Sequence, residues 1–123
     1  MAIVIERLKR RPDFLRVASG RQKYVTPGLV LQMRPREDMP ATTARVGFTA
    51  TRKVGSAVIR NRARRRLREA ARATMPEAAV AGCDYVVIAR AGTLSRPYPA
   101  LIQDLRTALT ALAPRANTVR TGS

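Results

Sequence analysis

Between Ile59 and Thr74 the apolar side chains fall on one narrow arc of a helical wheel while arginines crowd the rest of it, and no other feature restricts the fold as much. At about 100° per residue, Ile59, Ala63, Leu67, Ala70 and Thr74 align as a stripe that a core can bury. On the opposite side Asn61, Arg64, Arg65, Arg68 and Arg72 stand three and four residues apart, which makes one exposed ridge. From Arg60 to Arg72 there are seven arginines and a single acid, Glu69, so the repulsion between like charges has little internal relief. Solvated charged faces usually mix the two signs. This helix therefore needs protein on one side and a polyanion on the other, and a phosphate backbone is the expected counter-charge. Arg60 and Arg62 sit at the borders of the stripe, placed to join the ridge to a groove beside it. Asn61 is a weak helix former whose amide both donates and accepts, which suits it to orient an arginine, an RNA group or a metal-bound water. Arg66 falls near the apolar arc, where it is expected to snorkel or to meet a carboxylate.

The whole chain supports the same reading. Its 123 residues, 46% of them hydrophobic, fit one domain, taken as residues 1–116 with a frayed tail at 117–123. Lys and Arg total 24 against 8 acids, a formal charge of +16 that repels itself unless a polyanion shares the surface. Arginine supplies 21 of the 24, and its planar, bidentate fork favours nucleic acid over a lipid surface. No apolar run approaches the roughly 18 residues of a membrane span, and the MAIVI start is too short for a signal sequence, so a cytoplasmic protein with no membrane partner is expected. Cys83 is the only cysteine and is expected to be a buried, inert thiol. There is no histidine, and the adjacent Glu37 and Asp38 lie in a proline-flanked loop. Two-metal phosphodiester chemistry needs converging carboxylates, so a free-standing nuclease is not supported and no metal ligands are assigned.

Local patterns order the elements. A short helix over Pro12–Ala18 has proline and Asp13 in its first turn, shows Phe14 and Val17 on one face, and stops at Gly20. Two strand pieces follow between Tyr24 and Met33, kinked at Pro27 and Gly28, and RPREDMPATT then reads as a loop. From Arg45 to Lys53 the alternation puts Val46, Phe48 and Ala50 toward the core and leaves a polar, uncrowded face with Gly47, Thr49 and Lys53. Ser56 caps the arginine helix, expected to run from Ala57 to about Ala73, where Thr74, Met75 and Pro76 end it. DYVVIAR at 84–90 reads as a buried strand. A final helix runs from Pro99 to about Ala113 and buries Leu101, Leu105, Ala108, Leu109 and Leu112.

The stretch TRKVGSAVIRNRARRRLREA, Thr51 to Ala70, resembles the defining segment of the bacterial ribonuclease P protein family: a strand ending in two basic residues, then Val-Gly-polar-Ala-Val-x-Arg-Asn-Arg and a basic run to Arg-Glu-Ala. Asp13-Phe14 with Val17, Gly20, Arg45-Val46-Gly47, Asp84-Tyr85 and Ala89-Arg90 extend the similarity over most of the chain. Ser56 stands where the family usually has asparagine, Ala18 where it often has a second aromatic, and Arg66 where an aliphatic residue is common.

This resemblance implies an α+β fold, a single-domain α/β sandwich of order αβββαβα, with a four-stranded mixed sheet and a left-handed βαβ crossover through the arginine helix. It implies a subunit of an endoribonuclease whose catalytic RNA, using Mg²⁺, removes the 5′ leader of precursor tRNA. The protein is not itself catalytic, holds no cofactor tightly and pairs 1:1 with that RNA. The RNA-binding residues so implied are Arg52, Lys53, Arg60, Asn61, Arg62, Arg64, Arg65, Arg68 and Arg72, and the leader cleft takes Phe14, Thr49, Lys53 and Arg60. A basic ribosomal or nucleoid-type protein is the alternative that composition leaves open.

Overall fold

The computed structural model describes residues 3–36, 38, 40 and 42–113, so Glu37 and the expected tail at 117–123 lie outside the described residues. The chain runs through β1 (Val4–Arg7), α1 (Arg11–Ser19), β2 (Lys23–Val25), β3 (Leu29–Pro35), β4 (Thr43–Thr49), a 3-10 turn (Arg52–Val54), α2 (Ala57–Ala78), β5 (Cys83–Ala89), a second 3-10 turn (Ala91–Thr93) and α3 (Tyr98–Leu112). One mixed sheet holds the strands in the order β1-β4-β5-β3-β2. Strands β4 and β5 are parallel neighbours joined through α2, while β3 pairs antiparallel with β5 and with β2.

The sheet has five strands, not the expected four. The apolar start of the chain, weighed only as a leader sequence, adds β1 parallel to β4, with Val4 opposite Thr43 and Arg7 opposite Val46. Ile3 and Ile5 pack on the main core from there. The element order thus gains a strand ahead of α1.

One face of the sheet carries the main core. Leu29, Leu31 and Met33 of β3, Ala44 and Val46 of β4 and Tyr85 and Val87 of β5 meet Leu67, Ala70 and Met75 of α2 and Leu101, Leu105 and Leu109 of α3. All five stripe residues of α2 face inward, with Ala63, Leu67, Ala70 and Thr74 fully buried and Ile59 partly so. The helix does not end at Pro76; it continues to Ala78. Losing one N–H bond to proline costs about 3 kcal/mol, which burial of Met75, Ala71 and Ala79 offsets at roughly 25 cal/mol per Å². The Pro76 carbonyl also accepts the Ile3 N–H at 2.9 Å.

Helix α1 lies on the other face, over a smaller cluster of Leu8, Val17 and Val86 with Phe14 and Ile88 at its edge. That face of β4 is therefore not uncrowded as alternation alone suggested. Phe14 covers Gly47, and Arg45 is tied to Asp84 by bonds of 2.8 and 2.7 Å. Strand β4 stops at Thr49 rather than reaching Lys53, because Thr51–Gly55 folds into the 3-10 turn, with Val54 N–H to Thr51 O at 3.0 Å. Gly55 leaves that turn at φ 148°, a region open to glycine, and a side chain there would meet Ile59 at 2.9 Å. Cys83 is buried as expected, and burial pushes its thiol up to about 11.

Candidate nucleic-acid interface

The basic surface begins where β4 ends. Arg52 and Lys53 are exposed on the 3-10 turn, and two residues later the Ser56 hydroxyl accepts the Ile59 N–H at 3.4 Å, which starts α2. Along α2, Asn61, Arg62, Arg65 and Arg72 are exposed while Arg64 and Arg68 are half-buried. Asn61 accepts a bond from the Arg64 guanidinium, so of the roles open to its amide the structure shows the orienting of an arginine. Arg60 is half-buried, and its Nε is a buried polar atom without a partner among the described residues.

Arg66 breaks the ridge for a structural reason. Its guanidinium donates to the carbonyls of Thr93 at 2.6 Å and Leu94 at 3.1 Å, so it meets backbone oxygens and not the carboxylate considered from sequence. Two further arginines serve the same region. Arg90 reaches the Thr26 carbonyl at 2.6 Å, and Arg96 pairs with Asp104, whose Oδ2 also accepts the Gly28 N–H at 3.1 Å. These contacts tie the Pro27–Gly28 turn, which reverses the chain between the antiparallel β2 and β3 where only a kink was expected, to the turn after β5 and the start of α3. No periodicity marks them, because each depends on a partner distant in sequence.

The face under α1 is only partly covered. Register places Val25, Val30, Ile88 and Thr49 in one row across β2, β3, β5 and β4, and Lys23, Gln32, Val86 and Gly47 in the next. Phe14 stands on Gly47 and Val17 on Val86, while the first row stays half-buried or exposed, with Val25 52% exposed. Phe14 and Thr49 thus share one face, and an apolar shelf runs between Phe14 and the β2 edge. Val25, Val30 and Ile88 were missed from sequence, because adjacency across strands is set by register.

Beyond the shelf, Asp13 and Asp84 are buried and bridged by Arg36 and Arg45, with Asp13 also held by Arg16 at 2.6 Å. Burial pushes the Asp84 carboxyl up to about 6, against the opposing pull of Arg36. Asp38, paired with Arg36, sits below the usual carboxylate range. The described residues bring no three His, Cys, Asp or Glu side chains together as a metal site, and none of their helices is long and apolar enough to cross a membrane.

Comparison with known proteins agrees with this arrangement. The family model described as Ribonuclease P matches residues 5–113. A ribonuclease P protein component of Paramagnetospirillum magneticum is 57% identical over 111 residues, covering 89% of this chain and 84% of the relative. That of Gluconacetobacter diazotrophicus is 52% identical over 109 residues, covering 89% and 92%. The RNase P protein from Thermotoga maritima superposes with a TM-score of 0.68 at 28% identity over 87% of this chain and 94% of the other. The Staphylococcus aureus RNase P protein, 23% identical with coverage of 87% and 94%, shares the fold at a TM-score of 0.72. Fold, Arg-Asn-Arg helix and close relatives together show that the chain belongs to the ribonuclease P protein family.

Proposed function

We propose that the chain is the protein subunit of a ribonuclease P holoenzyme, binding the catalytic RNA along α2 and the 5′ leader of precursor tRNA across the half-open face of the sheet. The observation that carries this reading is the arginine ridge, whose positive charge has almost no acid on its own helix to meet. Arg52, Lys53, Arg62, Arg64, Arg65, Arg68 and Arg72 supply charge-assisted bonds to phosphates, and Asn61 fixes the direction of Arg64. Arg60, with its Nε lacking an acceptor, lies at the border between helix and groove.

The leader follows the shelf from Phe14 past Thr49, with Lys53 and Arg60 neutralising its backbone. One aromatic ring and a row of aliphatic side chains read no base edges, so binding there tolerates many leader sequences. The groups on both surfaces bind and orient RNA. In this reading the bond-breaking chemistry and its Mg²⁺ belong to the RNA, the chain pairs 1:1 with it, and the complex works in the cytoplasm.

Reconstitution with ribonuclease P RNA at low Mg²⁺ tests the assignment. Added protein should restore cleavage of precursor tRNA, whereas protein with Mg²⁺ alone should leave the precursor intact. Cleavage by the protein alone would sink the reading. Phe14→Ala should weaken precursor binding more than mature tRNA binding, and equal losses would remove the leader from the shelf. Arg62→Ala should lower affinity for the catalytic RNA and reduce the slope of log K against log salt by roughly 0.9.

A further inference from the structure

A second cleft opens on the helix side of the sheet, away from the leader shelf, where β1 and β4 meet α2. Its floor is Ile5, Val46 and the half-buried ring of Phe48, its rim is Arg7, Arg68 and Arg72, and its volume is about 270 Å³. None of the described residues that line it carries a carboxylate. The ion pairs among the described residues engage Arg16, Arg36, Arg45 and Arg96, and none of the three rim guanidiniums. An aromatic floor beneath unpaired cations combines an apolar plate with an anion trap. The size falls just below the roughly 300 Å³ at which drug-sized pockets begin, which suits one planar ring and its phosphate.

We propose that this cleft takes a single unstacked nucleobase of the RNA held by α2, lying on Phe48 while Arg7, Arg68 and Arg72 grip the flanking phosphates. The inference rests on the RNA-binding reading of α2. Arg68 and Arg72 belong both to the ridge and to the rim, so a strand whose phosphates follow the ridge passes the cleft mouth. A base there that is not stacked in a helix can turn inward. Single-stranded and bulged RNA is recognised in this way, by splaying bases onto aromatic rings and guanidinium planes. An acidic peptide would satisfy the arginines but leave the Phe48 plate unused, which favours RNA.

Two measurements on the full chain decide it. With ribonuclease P RNA, Phe48→Leu should weaken binding about 5- to 20-fold with an unchanged salt slope, while Phe48→Tyr, which keeps the ring, should stay within about twofold of the wild type. Arg7→Gln should lower both affinity and slope, the slope by roughly 0.9. In ¹H–¹⁵N spectra of the free protein, AMP should shift the amides of Ile5, Val46 and Phe48, and ribose 5-phosphate should not. Equal floor shifts from AMP and ribose 5-phosphate, or from hexaglutamate, would overturn the proposal. So would wild-type affinity in a Phe48→Leu protein whose unfolding curve shows it is folded. If the wild type shows no preference for ribonuclease P RNA, the holoenzyme assignment falls, and the AMP comparison still decides the base site.

Discussion

At Gly47 the difference between a hydrogen and a methyl group decides where Phe14 stands. A Cβ built there overlaps the Phe14 ring and comes within 3.2 Å of Leu8 Cβ, so Gly47→Ala should either swing the ring off the sheet or cost about 1–3 kcal/mol of strain. Urea unfolding of Gly47→Ala beside Phe14→Ala checks this, and an unchanged midpoint with unchanged precursor binding would contradict it. Asp84 makes a prediction of the opposite kind. Burial raises its carboxyl to about 6 from the ordinary carboxylate value of 3.8, so the folded chain holds that proton more tightly than the unfolded chain does. The contribution is full below about pH 4 and is lost as pH rises through 6, on the order of 3 kcal/mol. Denaturation midpoints of wild type and Asp84→Asn between pH 4 and 7 should diverge in that sense. A difference independent of pH would show that the arginines outweigh burial.

Helix α2 combines exposed arginines and a structural one within one turn. Arg65 is exposed on the ridge, whereas Arg66 closes two backbone carbonyls at 2.6 and 3.1 Å. Arg65→Ala should reduce the salt slope of RNA binding by roughly 0.9 and leave stability within about 0.5 kcal/mol. Arg66→Met should do the reverse, losing about 1–3 kcal/mol as those carbonyls lose their donor, with the slope unchanged. Thermal unfolding and a salt titration on both variants separate the roles. The helical period assigned the stripe correctly, because side-chain direction in a helix follows from spacing alone, but of the ridge it expected to be exposed, Arg64 and Arg68 are half-buried. It placed the C-terminal end at Ala73, since a local rule for proline takes no account of the core that Met75 and Ala79 enter.

For the whole molecule, a formal charge of +16 on 123 residues opposes compaction. The free protein should gain a few degrees in Tm as ionic strength rises through the range where screening becomes effective, and more on binding ribonuclease P RNA. Scanning fluorimetry checks both, and a Tm that falls with added salt would mean that attractive pairs such as Arg45–Asp84 dominate the charge balance. The clamp formed by Arg66, Arg90 and Arg96 uses three of the cations for internal bonds.

The sequence by itself determined a nucleic-acid partner, the inward face of α2, the break at Pro27 and Gly28 though not the hairpin reversal made there, the buried strand of DYVVIA and the family. Each follows from periodicity, charge or a contiguous motif, and these are local properties of a chain. Tertiary structure alone decided the fifth strand, since a segment as short as Val4–Arg7 becomes a strand only when an edge such as β4 accepts it. It also brought Val25, Val30, Ile88 and Thr49 into one row and Arg7 to the rim beside Arg68 and Arg72, through register and parallel pairing. The arginine-rich segment announces a surface that calls for a polyanion. Which arginines remain free to bind it depends on distant carbonyls and carboxylates, and only the fold brings those within reach.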